Sequence, residues 1–235
     1  AREARYGALV EMAKKRRARL ILTGHTLDDL VETALMNLGR GTGLDGLVGM
    51  TERRTLPDGG IQLGRPFLEC TKRDLLDYVN TIKARFCWDS TNADTRYLRN
   101  WVRTSLVPLW EARIPDLKNK IKNLSDLARD EQIYWRDLLK KERAEIMENT
   151  QGGALIRGEI LRAKPVGYQR RFLREAIGPD LLTFENGERL RKWMFSPPSG
   201  GRIFQCKAGI VVERQSKSKG STRSDLFLLR RGKST

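Results

Sequence analysis

Residues 24–33 read Gly-His-Thr-Leu-Asp-Asp-Leu-Val-Glu-Thr. On a helix, Asp28 and Glu32 stand four residues apart and Asp29 and Glu32 three apart, so the three carboxylates share one face. Two chemistries fit this spacing. In the first, Thr26 caps the helix and acids in the first turn sit against the positive end of its dipole. That accounts for Asp28 and Asp29 but leaves Glu32 unexplained, because like charges one turn apart repel. In the second, a cation lies among the acids, either Mg²⁺ on Asp28 or a substrate ammonium. The two readings differ on Glu32→Gln. A simple helix start predicts a neutral or slightly stabilised protein, whereas a ligand site predicts a large loss of activity. His25 is the sole histidine, so it is the sequence's one candidate imidazole base.

Arg96, Arg99 and Arg103 fall on one stripe with Asn100 beside it. The stripe reads either as a solvated face or as a phosphate contact, since the guanidinium fork matches phosphate oxygens. Gly41-Thr-Gly43-Leu-Asp-Gly46 has the spacing G-x-G-x-x-G. A dinucleotide site would need a strand before it and a helix after it. Here a helix precedes and no convincing helix follows. The segment therefore reads as a mobile loop, with Arg40 at its edge, whose backbone could approach a polyanion.

The elements that position these residues follow from periodicity. Residues 2–17 form an amphipathic helix, Leu20 to Thr23 a buried strand, and Leu27 to Leu38 a second helix. Helix–strand–turn–helix is the cadence of a parallel α/β sheet, whose sites lie beyond the carboxyl ends of the strands. His25 to Glu32 occupies such a position. A short strand near residues 61–63, helices at 71–82 and 97–110, and a long linker helix from 117 to 148 follow. Gln151-Gly-Gly153 opens a second unit with helices near 165–176 and 185–194. That unit ends in strands, with 201–213 and 226–229 alternating like a hairpin.

Composition bounds the function. The chain of 235 residues carries 45 Lys and Arg against 29 Asp and Glu, a net charge of +16. That balance points to a polyanionic partner, with nucleic acid ahead of a membrane surface. The last 35 residues hold 9 Lys and Arg against 2 acids, a density suited to tracking a phosphate backbone. No apolar run approaches the roughly 18 residues of a membrane span. Three scattered cysteines (Cys70, Cys87 and Cys206) argue against a disulfide framework and fit a reducing cytoplasm. With one histidine and no CxxC, the usual zinc sites are excluded.

Taken together, Gly24-His-Thr-Leu-Asp-Asp-Leu-Val-Glu-Thr33 and Arg40-Gly-Thr-Gly-Leu-Asp-Gly-Leu-Val-Gly-Met50 resemble the tRNA(Ile)-lysidine synthase family of N-type ATP pyrophosphatases. Arg65-Pro66, Asp89-Ser-Thr-Asn92-Ala-Asp94 and Arg99-Asn100-Trp-Val-Arg103 continue the resemblance through residue 110. Residues 154–235 resemble the family's substrate-binding domain by weaker motifs. The resemblance implies an α/β fold: residues 1–112 as the C-terminal part of a parallel-sheet, adenine nucleotide alpha hydrolase-like domain, residues 113–150 as a linker helix, and residues 151–235 as a small α+β tRNA-binding domain.

The resemblance also implies a reaction. ATP activates C2 of the anticodon's wobble cytidine in tRNA(Ile) with a CAU anticodon, releasing pyrophosphate, and the amine of L-lysine then displaces AMP. It assigns Asp28, Asp29 and Glu32 to lysine or metal. His25, Arg40, Gly41, Gly43, Arg99, Asn100 and Arg103 go to ATP, phosphate or tRNA. ATP and Mg²⁺ are the implied cofactors, the cytoplasm the location, and a homodimer is one possible assembly.

The family's Ser-Gly-Gly-x-Asp-Ser phosphate loop has no counterpart in this sequence and is expected upstream of Ala1. Ser199-Gly200-Gly201 lacks the acid and follows two prolines, so it reads as a turn. Two alternatives stay open. One is a thiolation-type tRNA-modifying enzyme, which the cysteine spacing opposes. The other is a non-catalytic tRNA-binding fragment.

Overall fold

The computed structural model describes residues 2–56, 60–87, 96–179, 181–196, 202–215 and 226–231. The chain packs as two units, residues 1–132 and 133–235, divided within one long helix. No described helix is long and apolar enough to cross a membrane.

The first unit is mixed α/β. It runs α1 (Arg2–Lys15), β1 (Leu20–Leu22), α2 (Leu27–Gly39), α3 (Leu44–Leu47), β2 (Arg53–Thr55), β3 (Gln62–Gly64) and α4 (Lys72–Thr81). After these come α5 (Leu98–Trp101), a π turn over Val102–Leu106, α6 (Val107–Glu111) and the start of α7 (Leu117–Ile146). The sheet order is β1-β3-β2, with β1 parallel to β3 through the pairs Leu20↔Gln62 and Leu22↔Gly64. β2 runs antiparallel to β3. Val10 and Ala13 of α1 pack on Ile21, Leu56, Ile61 and Leu63. A second apolar cluster joins Leu27 and Val31 of α2 to Val102 and Val107.

Three local differences from the periodicity reading have physical causes. Of β1, Ile21 alone is buried, and Leu20 and Leu22 are exposed, because among the described residues β1 is an edge strand with one covered face. The helix expected at 97–110 forms but widens to π geometry in its middle. Val107 donates to the Val102 carbonyl five residues back. Pro108 follows immediately. It has no N–H to give and would crowd the carbonyl four residues back, which the wider turn relieves. The Gly-rich loop is not loose. α3 makes one helical turn in it, Asn37 Nδ2 donates to the Gly46 carbonyl at 2.8 Å, and buried Ser125 donates to the Val48 carbonyl at 2.7 Å.

In the second unit α7 ends at Ile146, two residues short of the expected end, and Met147 enters β4 (Met147–Thr150). β4 pairs with β5 (Gly153–Arg157) around a turn at Gln151-Gly152. Cross-strand pairing here overrides the helical preference of Met and Glu. Next come α8 (Gly158–Ala163), α9 (Val166–Ile177), α10 (Phe184–Phe195), β6 (Ile203–Gln205), β7 (Ile210–Arg214) and β8 (Leu226–Arg231). The sheet is antiparallel in order β4-β5-β8-β7-β6; β7 and β8 pair as the alternation predicts, but the single strand expected over 201–213 is broken by a tight turn at Lys207–Gly209, where Ala208 takes φ +55°, into β6 and β7, which pair with each other. Ile156, Leu161, Phe172, Leu190, Val212 and Phe227 are among the buried residues of its core. This unit carries 22 Lys and Arg against 11 acids, most of the chain's excess positive charge.

Candidate active site

The parallel pair β1 and β3 brings two loops to one edge of the first unit. The Thr23 N–H donates to the Gly64 carbonyl at 3.0 Å, and the Leu27 N–H to the Cys70 carbonyl at 2.9 Å. These bonds lock the start of α2 against the segment after β3. There the Thr26 N–H and hydroxyl both donate to Asp29 Oδ2, at 2.9 and 3.1 Å, which fixes the first turn.

The cation that Glu32 requires comes from the protein itself. Glu32 is 1% exposed. Its Oε2 accepts from Arg99 Nε at 2.7 Å, while Arg103 approaches both oxygens, at 2.5 Å from Nε and 3.0 Å from a terminal nitrogen. Arg99 also reaches Asp29 Oδ1 at 2.6 Å. The two arginines lie one turn apart on α5 and the π turn, so both forks close over the same carboxylates. Hydrogen bonding to Glu32 leads the effects that lift the Arg103 pKa above its ordinary value.

Asp28 has a different set of partners. Its Oδ2 accepts the Lys72 N–H at 2.6 Å, which joins α2 to α4. Its Oδ1 meets Lys118 Nζ at 2.9 Å, and Lys118 also reaches Glu111 at 3.3 Å. Burial works against the Lys118 charge, but the hydrogen bonds and charges of Asp28 and Glu111 outweigh it and raise its pKa. These groups surround a pocket of about 100 Å³, lined by Asp28, Glu32, Arg103, Glu111 and Lys118. Val31, Val107 and Pro108 supply its apolar wall. Lys118 and Glu111 carry no sequence signal. They are ordinary helix-end charges until α6 and α7 fold back onto α2.

His25 sits after β1 with Nδ1 2.8 Å from Thr23 Oγ1. Thr23 Oγ1 also donates to the Gly64 carbonyl at 3.4 Å, and the direction of the Thr23–His25 bond follows the imidazole tautomer. Burial is the main cause of its lowered pKa. The attraction of Asp29 opposes that shift, and Arg65, Arg99 and Arg5 reinforce it.

Asp28, Asp29, Glu32, Arg99 and Arg103 thus converge. Arg40, Gly41 and Gly43 do not. They lie at or beyond the opposite end of α2, about 12 to 18 Å along the helix axis from the acids. Arg40 is exposed, and Gly41 takes φ +76°, the left-handed turn that glycine tolerates. Asn100 lies on α5 beside Arg99, half-buried. Asp89 to Asp94 and Ser199-Gly200-Gly201 lie outside the described residues.

The described residues do not build a magnesium cage. No three His, Cys, Asp or Glu side chains among them are gathered to hold a metal ion.

Residues 1–110 match the family model ATP_bind_3, described as the PP-loop domain. These residues thus form a PP-loop domain. The chain is 30% identical over 244 residues to the tRNA(Ile)-lysidine synthase of a Nostoc species, covering 94% of this chain and 71% of that protein. It is 34% identical to the Bacillus licheniformis tRNA(Ile)-lysidine synthase over 73% of this chain and 30% identical to the Geobacter sulfurreducens one over 86%. It spans only 36% and 43% of the length of those two relatives. The chain belongs to the tRNA(Ile)-lysidine synthase family.

Proposed function

We propose that this chain contributes the lysine-binding part of a ligase that joins L-lysine to C2 of the wobble cytidine in tRNA(Ile) with a CAU anticodon. The observation that carries the reading is the pocket at the start of α2. Three carboxylates (Asp28, Glu32 and Glu111) and two cations (Arg103 and Lys118) line it, beside an apolar wall. One negative charge is left over, which favours a cationic ligand. An apolar cavity of about 150 Å³ accepts benzene. This open pocket of about 100 Å³ has room for one end of an amino acid.

In this reading the C2 carbonyl oxygen attacks the α-phosphorus of ATP and pyrophosphate leaves. The lysine amine then attacks C2, the C2–oxygen bond to AMP breaks, and the nitrogen loses a proton. The chain's residues bind and orient the amino acid. Arg99 and Arg103 hold Glu32 and Asp29 so that the acids keep their geometry when the ligand enters. His25 stands at the carboxyl end of β1, where parallel sheets place substrates, and burial favours its neutral form. Mg²⁺ enters only as a companion of the ATP phosphates, the usual way that ion is held. The excess positive charge of the second unit suits the tRNA backbone. The three cysteines, none in a disulfide, suit a reducing cytoplasm.

The test is pyrophosphate release and incorporation of labelled lysine into tRNA(Ile), measured on the full-length protein carrying these residues. Lysine incorporation and pyrophosphate release over many turnovers should both require lysine, tRNA and ATP together, because the adenylate must be discharged by lysine before the next turnover. Multiple-turnover pyrophosphate release that needs tRNA but ignores lysine would point instead to a thiolation-type enzyme.

A further inference from the structure

Glu32 and Arg103 are committed to each other by two hydrogen bonds. The Asp28–Lys118–Glu111 set is not closed in this way. The Lys118 ammonium has three donors and gives two, to Asp28 at 2.9 Å and Glu111 at 3.3 Å. Its side chain is 21% exposed and lines the pocket. A lone cation ligand would need acids alone, yet the pocket places an ammonium donor among its acids. An α-amino acid head carries an ammonium and a carboxylate on one carbon. It matches such a set reciprocally: its carboxylate meets Lys118 while its ammonium meets Asp28 and Glu111.

We propose that Lys118 is a specificity-determining residue that reads the α-carboxylate of the incoming lysine, with Glu111 joining Asp28 on its α-ammonium. The proposal rests on the lysine-ligase reading above. It assigns discrimination against simple diamines to one side chain. A diamine of the same length, 1,5-diaminopentane, keeps both amines and lacks the carboxylate. It would leave Lys118 without its ligand partner.

The experiment uses the full-length protein, with L-lysine and 1,5-diaminopentane as alternative amines. Their KM and kcat values in tRNA-dependent pyrophosphate release are measured beside their binding constants. The unsubstituted protein should favour lysine by about tenfold to a hundredfold, the worth of one charge-assisted hydrogen bond. Lys118→Met keeps the methylene stem and removes the charge. It should raise the lysine KM by about that factor and leave the diamine KM within about threefold, collapsing the ratio. Lys118→Arg should retain most of the discrimination, which guards against a Met variant that misfolds.

An unchanged lysine-to-diamine ratio in Lys118→Met, or a fall in kcat alone with both amines, would overturn the assignment while leaving the ligase reading intact. If the unsubstituted protein neither binds lysine nor needs it for pyrophosphate release, the ligase reading falls, and this assignment with it.

Discussion

Glu32→Gln is the substitution on which sequence and structure disagree in sign. From sequence alone, an acid one turn from two others repels them, and a simple helix start would gain or lose little when the charge is removed. In the structure Glu32 is 1% exposed and accepts three hydrogen bonds from two guanidinia. Gln offers one acceptor oxygen and turns an NH₂ group toward an N–H donor. Removing one partner from a buried pair costs about 3–5 kcal/mol. Here Arg99 and Arg103 remain 37% and 26% exposed, so water recovers part of their solvation and the expected loss is about 2–3 kcal/mol.

For a unit of this size that loss corresponds to about 6–12 °C in Tm. Thermal melting of the full protein, followed by circular dichroism, reads it directly. A cycle with Arg103→Gln should show a coupling of about 1–3 kcal/mol, because the pair is one interaction. A Glu32→Gln protein that melts within about 2 °C of the parent, or above it, would refute the argument that the arginine forks hold the site together.

Three further outcomes follow from single contacts. Ser125→Ala leaves the Val48 carbonyl without its buried donor and should cost about 1–2 kcal/mol by urea denaturation; no change would mean that the Gly-rich loop is held otherwise. Hydrogen bonds from Arg170 and then Arg191 hold the Glu188 carboxyl down to about 2, from an ordinary 4.5. A depressed folded value adds stability above the ordinary value that drains away as pH falls toward about 2. The Tm gap between parent and Glu188→Gln should therefore be full at pH 7 and shrink between about pH 4.5 and 2; a constant gap would contradict this. For tRNA, truncating the basic tail is a poor probe, because β8 lies mid-sheet. The exposed pair Lys207→Ala and Arg231→Ala should instead flatten the salt dependence of binding by about 0.7–0.9 in log–log slope each, if each contacts a phosphate. An unchanged slope would move the RNA surface elsewhere.

Local periodicity was enough for most helices of this chain and for the β7–β8 hairpin, because a helix or strand shows its covered face as a period in sequence. It also singled out Asp28, Asp29 and Glu32, since their spacing is a property of one helix. It could not show what the three acids face. Arg99 and Arg103 stood out as a stripe, but whether they meet phosphate or carboxylate depends on how α5 and the π turn pack on α2. Tertiary structure decided that, and buried Glu32 could be accommodated only with cations at hydrogen-bonding distance. Lys118 and Glu111 were invisible for the same reason. Their neighbours in sequence say nothing about Asp28, more than eighty residues away. Arg40, Gly41 and Gly43 show the converse: they adjoin the acidic helix in sequence, and the length of α2 itself carries them away from its chemistry.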